Sequence, residues 1–402
     1  MEVNAIYEGD NLEILNKFPD NSIDLIYLDP PFFSNKHYEV IWNDGAEIRA
    51  FQDRWRGGIE HYTSWMEPRL RECHRILKEN GTIYLHCDWH ANAHLRILMD
   101  KIFGGNNLRN EIVWCYRGAG YPKKDFGKRH DTIFRYSKTG KYIFNLDEVR
   151  EGYAEATKER FKHYIGNVRK SGDFGIQKLN PLGKQPDDWW EIQPIAPSSK
   201  ERLGYPTQKP LVLLEKIIKA SSNKGDIVLD PFCGCGTTLV ASEKLKRRWI
   251  GIDVSPTACK LMVKRLRQEF SITPKLIKGT VDLRYIKKLP HFEFQNWVVV
   301  DKFLGNVSRT KSGDFGVDGL TPQITGGYPI QVKQSEDVGR NVIDNFETAM
   351  RRLKKNKGYV VAFSFGKGAY EEVARVKNQE GLNIILRTVK ELRPSHNYFP
   401  EH

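Results

Sequence analysis

The sequence predicts an α/β protein of two domains, the first built on a mainly parallel sheet and the second a smaller α/β unit. Three observations carry this. Short apolar runs alternate with amphipathic stretches through the first half, an order that places helices between parallel strands. A glycine-rich turn, DPFCGCGTT at residues 230–238, joins a strand to a helix, and Asp253 ends the next strand. After a polar, basic connector the periodicity restarts near residue 290, and 402 residues exceed the usual size of one core.

In chain order, residues 22–28 (SIDLIYL) read as a strand ending at Asp29. Residues 81–86 (GTIYLH) read as a second strand, after an amphipathic stretch ending in ILKENG, and residues 112–116 (IVWCY) as a third, after the amphipathic residues 94–103. From Arg117 to about Leu203 the pattern fails. Basic residues, aromatics, glycines and prolines mix in RGAGYPKKDFGKRHDTIFRYSK, FKHYIGNVRKSGDFG and KQPDDWWEI, the composition of irregular, surface-exposed structure. Periodicity resumes in PLVLLEKIIKAS, a helix opened by Pro210. The strand DIVLD, the glycine-rich turn, a helix through Leu245 and the strand WIGID then form a β-α-β unit. Beyond the connector come a helix at 292–304, a glycine-rich turn and a strand at 329–333. An amphipathic helix with Ile343, Phe346, Met350 and Leu353 on one face follows, then strands at 359–363 and 383–386 around a last helix. The chain thus divides into residues 1–275, a connector at 276–289, and residues 290–402.

Composition narrows the partner rather than the reaction. Lysine and arginine number 63 against 50 acidic residues, a formal charge of +13 with a pI near 9.3, so the field favours a polyanion, of which nucleic acid is the commonest. With 40% hydrophobic and 11% aromatic residues the chain folds, which excludes a disordered basic tail. Cys73, Cys87, Cys115, Cys233, Cys235 and Cys259 form no C-x-x-C pair, against both a disulfide framework and a zinc ribbon. No apolar stretch approaches the roughly 18 residues of a membrane span and the N-terminus is acidic, so no membrane partner and a cytoplasmic location are expected.

The sharpest segment is Asp29-Pro30-Pro31-Phe32 at a strand end. Two prolines lock the backbone and remove its donors, so the Asp29 carboxylate and the Pro30 carbonyl stand as rigid acceptors beside an aromatic ring. That set suits a flat heterocycle bearing an amino group. In the turn at 230–238 the glycines let the backbone approach a ligand and the following helix offers free amides, but the lysine of a phosphate-binding loop is missing. About 20 residues on, Asp253 stands where an acid holds ribose hydroxyls. A nucleoside-containing cofactor is implied.

These residues resemble, over about residues 3–268, the site-specific DNA-methyltransferases that methylate amino groups with S-adenosyl-L-methionine, in the circularly permuted class β order, where the catalytic motif precedes the cofactor motif. The segments that carry the likeness are IYEGDNLEILNKFPDNSIDLIYLDPPF, GTIYLHCDWH, NEIVWCY, RHDTIFRYSK, ERLGYPTQKPLVLLEKII, GDIVLDPFCGCGTTLVA and WIGIDVS. The resemblance implies a Rossmann-like methyltransferase fold. It puts Asp29, Pro30, Pro31 and Phe32 on the catalytic tetrapeptide, whose DPPF form is similar to that of adenine-N6 enzymes; cytosine-N4 enzymes usually show serine first, and cytosine N4 stays the alternative. It puts Asp230, Pro231, Phe232, Cys233, Gly234, Gly236 and Thr237 around the methionine part of the cofactor, Asp253 on its ribose and Asp10 near its adenine. Thr207, Gln208 and Lys209 fall on the TQKP motif flanking the cofactor pocket. A flipped base in double-stranded DNA is the implied substrate, with a homodimer as a further possible assembly. The target-recognition region is expected at about 117–202, where Lys123, Lys124, Lys128, Arg129 and His130 would meet phosphates. Methylation of RNA or of protein glutamine is the weaker reading, since protein-glutamine enzymes typically carry asparagine before the proline pair.

Residues 290–390 resemble the Mrr-like branch of the PD-(D/E)xK restriction endonucleases, through GDFGVDG, PIQVK and FSFGKGAYEEVARV. The resemblance implies a Mg2+ ion held by Asp318 and Gln331, with Lys333 as the catalytic lysine. Where many relatives carry a glutamate in the first helix this chain offers Glu293 or Gln295, so a noncatalytic DNA-binding or interaction module is the competing reading. Plainer readings hold elsewhere. Cys233 and Cys235, one residue apart in a tight loop, are small packing residues rather than metal ligands. His86, His90 and His94 recur at helical spacing, but no acidic general base accompanies them and His86 belongs to a strand, which speaks against a metal face. The run Arg351, Arg352, Lys354, Lys355 and Lys357 reads as a solvated helix face, and Trp189 and Trp190 as packing residues.

Overall fold

The computed structural model describes every residue except 34–36, 42–46, 53–57, 119, 121, 163–167, 170–171, 174–178, 206, 279–282, 290, 308–315 and 393–402. The chain lays down β1 (Ala5–Glu8), α1 (Asn11–Leu15), β2 (Ile23–Leu28), a hairpin of β3 (His37–Ile41) and β4 (Glu47–Gln52), α2 (Gly58–Ile76), β5 (Leu77–Cys87), α3 (Asn92–Phe103), β6 (Leu108–Cys115) and β7 (His130–Ser137). After α4 (Glu155–Lys162), the short pair β8 (Val168–Arg169) and β9 (Gly172–Asp173), and β10 (Trp189–Glu191), it continues with α5 (Leu211–Ser221), β11 (Ile227–Asp230), α6 (Thr237–Lys244), β12 (Arg248–Asp253), α7 (Pro256–Phe270) and β13 (Lys275–Lys278).

Nine of these strands pair in the order β10-β6-β7-β5-β2-β11-β12-β1-β13, all parallel but β7. Helices cover both faces, so the strands carry unbroken apolar runs rather than alternating ones. In β2, Ile26 and Leu28 enter a core with Met66, Leu70 and Leu85, while Leu25 and Tyr27 enter the opposite core with Leu213, Leu214, Ile217 and Ile218 of α5. Each such large apolar side chain stabilises the fold by about 1.5–3 kcal/mol relative to exposure.

Strand β2 pairs with β5 and β11, whereas β1 lies beyond β12. The two stretches of chain therefore interleave at the β2–β11 pair, and the carboxyl ends of β1, β2, β11 and β12 open onto one edge, where α/β sheets bind ligands. Asp10, Asp29, Asp230 and Asp253 stand at or just beyond those ends.

Several expectations are corrected. Residues 77–80 extend β5 rather than the preceding helix. Residues 130–137, expected to be irregular and within the target-recognition region, form the buried strand β7 between β5 and β6. Its burial is hidden in the sequence by polar residues that find partners inside: the Arg135 guanidinium, 4% exposed in the residue as a whole, donates to Asn110 Oδ1 at 3.2 Å and lies 4.6 Å from the Phe144 ring centroid. The tryptophan pair divides, because β10 joins the sheet edge with Trp190 buried and Trp189 57% exposed. Strand β13 adds to the sheet within residues that read as connector.

Farther on come α8 (Leu283–Lys288), α9 (His291–Asn296), β14 (Asn306–Val307), β15 (Gly319–Leu320), β16 (Pro329–Val332), α10 (Arg340–Arg352), β17 (Lys357–Ala362), α11 (Lys367–Glu380) and β18 (Asn383–Thr388). The five strands form one sheet in chain order, antiparallel up to β16 and parallel from there on. Helices α10 and α11 pack on one face through Ile343, Phe346, Met350 and Val376. Phe294, Trp297, Val298 and Phe303 pack on the other. The helix expected at 292–304 instead passes from α9 into a π-helical turn at Trp297–Lys302. The β-branched run there crowds an α-helical turn, and the wider turn buries Trp297, Val298 and Val299 in succession. Leu353, expected on the buried face of α10, caps the helix and is 43% exposed. Among the described residues no helix is long and apolar enough to cross a membrane.

Candidate active site

The proline pair after β2 holds Asp29 at the sheet edge, and the turn is pinned from outside: the Tyr62 hydroxyl of α2 donates to the Pro31 carbonyl at 2.7 Å. Lys209 Nζ bonds Asp29 Oδ2 at 2.6 Å, with both side chains largely buried, and lies 4.9 Å from the Phe32 ring centroid. The other oxygen, Asp29 Oδ1, is buried and has no hydrogen-bond partner. A carboxylate with one oxygen paired and the other buried without a partner keeps accepting capacity for a donor group that reaches it.

Beside it, the turn between β11 and α6 forms a cradle. Both oxygens of Asp230 brace it, accepting from Phe232 N at 3.0 Å and from Thr238 Oγ1 at 2.5 Å. Gly234 and Gly236 have φ of +53° and +79°, and a Cβ on Gly236 would come within 2.8 Å of Met262 Cγ, so a side chain there is excluded both by conformation and by space. Asp253 accepts from Gly234 N at 2.7 Å and from Ser255 N at 2.8 Å, and the Val254 amide also bonds its carboxylate. Asp10 caps α1 through Leu12 N at 2.8 Å and pairs with Arg69 Nη2 at 2.8 Å. Arg69 also bonds Asn11 Oδ1, and Asn11 Nδ2 reaches the Pro231 carbonyl at 2.8 Å, tying the β1 loop to the β11 loop.

These groups line one cavity of about 250 Å3. It brings together Asp29, Pro30, Pro31 and Phe32 with Asp10, Thr207, Gln208, Lys209, Asp230, Pro231, Phe232, Cys233, Gly234, Thr237 and Asp253. Gly236 does not line it and acts through the backbone, opening α6. S-adenosyl-L-methionine fits this donor set: carboxylates would suit a cationic sulfonium, the glycine turn leaves room, Asp253 would offer acceptor oxygens to hydroxyls, and the Trp65 and Phe232 rings, 5.8 Å apart, offer aromatic surface. Sequence reading missed Trp65, Arg69 and Tyr205, whose parts depend on contacts distant in sequence, and Ser255, which bonds Asp253 locally.

Burial pushes Asp230 up to about 7 and Asp253 up to about 6, against the hydrogen bonds that hold each carboxylate. Both groups bind a proton more tightly folded than unfolded. Their contribution to stability is therefore complete below the unfolded value near 3.8 and is lost as pH rises through about 6 and then about 7. Thermal melts of the cofactor-free protein should fall by several degrees between pH 5 and pH 7.5, a loss on the order of a few kcal/mol, and Asp230→Asn should flatten that slope. Identical slopes in the two proteins would rule out Asp230 as the source.

The basic residues expected to meet phosphates lie in and after the β6–β7 connection. Because β7 is reversed, this connection emerges at the edge where β5 ends. Lys123, Lys124, Lys128 and His130 are exposed, Arg129 bonds the Gly120 carbonyl, and Lys128 Nζ lies 3.3 Å from the Trp89 ring centroid. Phe126, 98% exposed among these cations, and Trp89 were not singled out from the sequence.

Near β16, Asp318 Oδ2 accepts from Val332 N at 2.7 Å and the Asp318 carbonyl accepts from Gln295 Nε2 at 2.9 Å. Gln331 is buried with Oε1 lacking a hydrogen-bond partner, and Lys333 is half-buried. The side chain of Glu293 lies outside the described residues. Among the described residues, three acids converge elsewhere, at Asp344, Glu347 and Glu372. Arg340, Arg351 and Arg375 pair with Glu372 and Glu347 there, as an ion-pair network joining α10 to α11.

Comparison with known proteins adds the family context. A family model described as DNA methylase matches residues 23–264, and one described as restriction endonuclease matches residues 286–394. The chain is 35% identical to the Type II methyltransferase M.BglII of Bacillus subtilis over 63% of this chain and 66% of that protein. It is 32% identical to the DNA adenine methyltransferase YhdJ of Escherichia coli K12 over 66% of this chain and 83% of that protein. Among solved structures, the cytosine-N4-specific PvuII DNA methyltransferase aligns at 18% identity and a TM-score of 0.47, covering 68% of this chain and 94% of its own.

Proposed function

Because the chain belongs to the DNA methylase family, we propose that it transfers the methyl group of S-adenosyl-L-methionine to the exocyclic amino group, N6, of an adenine flipped out of duplex DNA. The observation that carries this is the unpartnered oxygen of Asp29, a residue that lines, with Phe32, the same cavity as the cradle of Asp230 and Asp253. When bound, the cofactor supplies a methyl group already activated by a positive sulfur. The chain's own part is orientation and electrostatics. Phe32 stacks on the extruded base, whose unstacking costs a few kcal/mol. Asp29 Oδ1 and the Pro30 carbonyl accept hydrogen bonds from the amino group and draw its lone pair out of conjugation with the ring. Lys209 keeps Oδ2 occupied, so the amine meets one defined oxygen.

Base-resolved modification sequencing of unmodified DNA treated with the protein should show N6-methyladenine at one recurring sequence. N4-methylcytosine would support the alternative base, and label found only in RNA or protein would overturn the reading.

For the residues matched by the restriction endonuclease model we infer a Mg2+-dependent nuclease centre, supported by the unpartnered Gln331 Oε1 in the strand beside Asp318, with Lys333 just past the end of that strand. A homodimer would bring two such centres to the duplex, one for each strand. Incubating unmodified plasmid with Mg2+, with and without cofactor, should give nicks or breaks. Intact plasmid under every condition makes this a noncatalytic DNA-binding or interaction module.

A further inference from the structure

Behind the catalytic carboxylate lies a buried polar chain. His86 of β5 is fully enclosed. Its Nε2 meets Asp131 Oδ2 at 3.2 Å, and its Nδ1 meets the Tyr27 hydroxyl at 2.9 Å and stands 3.6 Å from Asp29 Oδ1. The Tyr116 hydroxyl donates to the other oxygen of Asp131 at 3.1 Å. The imidazole lies 5.2 Å from the Phe32 ring and 5.4 Å from that of Trp114, so one residue borders both the carboxylate and the stacking ring. Sheet register assembles this: β2 pairs Leu28 with Leu85, and β5 pairs His86 with Ile133 and Cys87 with Thr132.

Burial pushes Asp131 up, but the His86 hydrogen bond and the charges nearby outweigh it and hold the group below the usual carboxylate range. Asp131 is then an acceptor, Nε2 carries the proton it receives, and Nδ1 presents a lone pair. Burial likewise raises the Tyr27 hydroxyl well above its ordinary range, so Tyr27 keeps its proton and donates it to Nδ1. With Oδ2 of Asp29 held by Lys209, the unpartnered Oδ1 stands 3.6 Å from Nδ1, whose lone pair the Tyr27 hydroxyl occupies until it turns away.

Methylation leaves a proton to be placed. The amine lone pair becomes the new N–C bond, the pair of the severed C–S bond stays on sulfur, and the methylated nitrogen sheds a proton. We propose that His86 is the positioning residue of the Asp29 carboxylate and takes up that proton through Asp29 Oδ1, an inference that rests on the methyl-transfer reading above. The proton passes from nitrogen to Oδ1 and on to Nδ1, while the Tyr27 hydroxyl turns from donor to acceptor. The imidazolium then lies between the Asp29 and Asp131 carboxylates and returns its proton to solvent when product leaves. The titratable groups facing it are Tyr27 and Asp29 from β2 and its turn, Asp131 from β7, Tyr116 after β6, and Lys209 through Asp29.

The test compares the full chain with His86→Gln and Asp131→Asn in single-turnover methyl transfer to duplex DNA across pH, beside cofactor affinity. Near pH 7 each variant should lose about 10²-fold in rate with cofactor affinity unchanged, and the His86→Gln rate should climb about tenfold per pH unit, closing on the parent. A readout independent of turnover is the ¹⁵N resonance pattern of His86 in the cofactor-free protein. It should report the Nε2–H tautomer, weakened in Asp131→Asn, which keeps shape but removes the charge. A His86→Gln enzyme with parental rate and pH profile overturns the proposal. So does a loss equal at every pH, the mark of a packing defect, or an Nδ1–H tautomer in the parent. An active parent with unaffected His86→Gln removes this proposal alone, whereas a parent that never labels duplex DNA removes the methyl-transfer reading with it.

Discussion

Asp29→Ala should lower methyl transfer by at least about 10³-fold while leaving cofactor affinity within about threefold of the parent. The two effects separate because Asp29 follows β2, whereas the cradle for the cofactor is braced by Asp230 and Asp253 at the ends of β11 and β12. Removing the carboxylate also strands Lys209, whose side chain is only 9% exposed and whose ammonium bonds Asp29 Oδ2. Leaving such a charge unpaired costs about 3–5 kcal/mol, so the variant should melt earlier than the parent. The double variant Asp29→Ala/Lys209→Met should recover much of that stability and stay inactive, and Asp29→Asn, which keeps the side-chain volume, should be inactive as well. Labelled methyl transfer, calorimetric cofactor titration and thermal melts give the three readings. A rate within tenfold of the parent in the Asn variant would sink the assignment of Asp29 as the amine acceptor.

The second large effect is expected at Asp253. Its carboxylate accepts from the Gly234, Val254 and Ser255 amides and lines the cavity. Charged hydrogen bonds contribute about 1.5–3 kcal/mol each, so Asp253→Ala should weaken cofactor binding by about 10²-fold. The rate at saturating cofactor should return to within a few-fold of the parent, since Asp29 and Phe32 are untouched. Asp253→Asn, which retains one acceptor, should fall between. Unchanged affinity in the Ala variant would place the ribose hydroxyls elsewhere.

Much of this site was legible in the sequence because its parts are local. Two prolines after an apolar strand dictate a rigid turn without backbone donors whatever surrounds them. A glycine pair between strand and helix signals backbone conformations that side chains disfavour, and Gly234 and Gly236 have φ of +53° and +79°. Strand β7 was not legible, because Arg135, Ser137 and Asp131 interrupt its apolar pattern and become tolerable in a core only through partners on other strands. The His86 network escaped for the same reason. Its histidine and aspartate lie 45 residues apart, and although His86 reads as a strand residue, nothing local names its partners.

By itself, then, the sequence determined the α/β class, the basic field suited to DNA, and the identities of the residues at the strand ends. Each of these follows from backbone preference, periodicity or charge over a few neighbouring residues. The tertiary structure alone decided which oxygen of Asp29 is occupied and which is open. Lys209 reaches Asp29 across 180 residues and His86 approaches it from the adjacent strand. Sheet order and register set those distances, and a one-residue slip would carry the whole set to the opposite face.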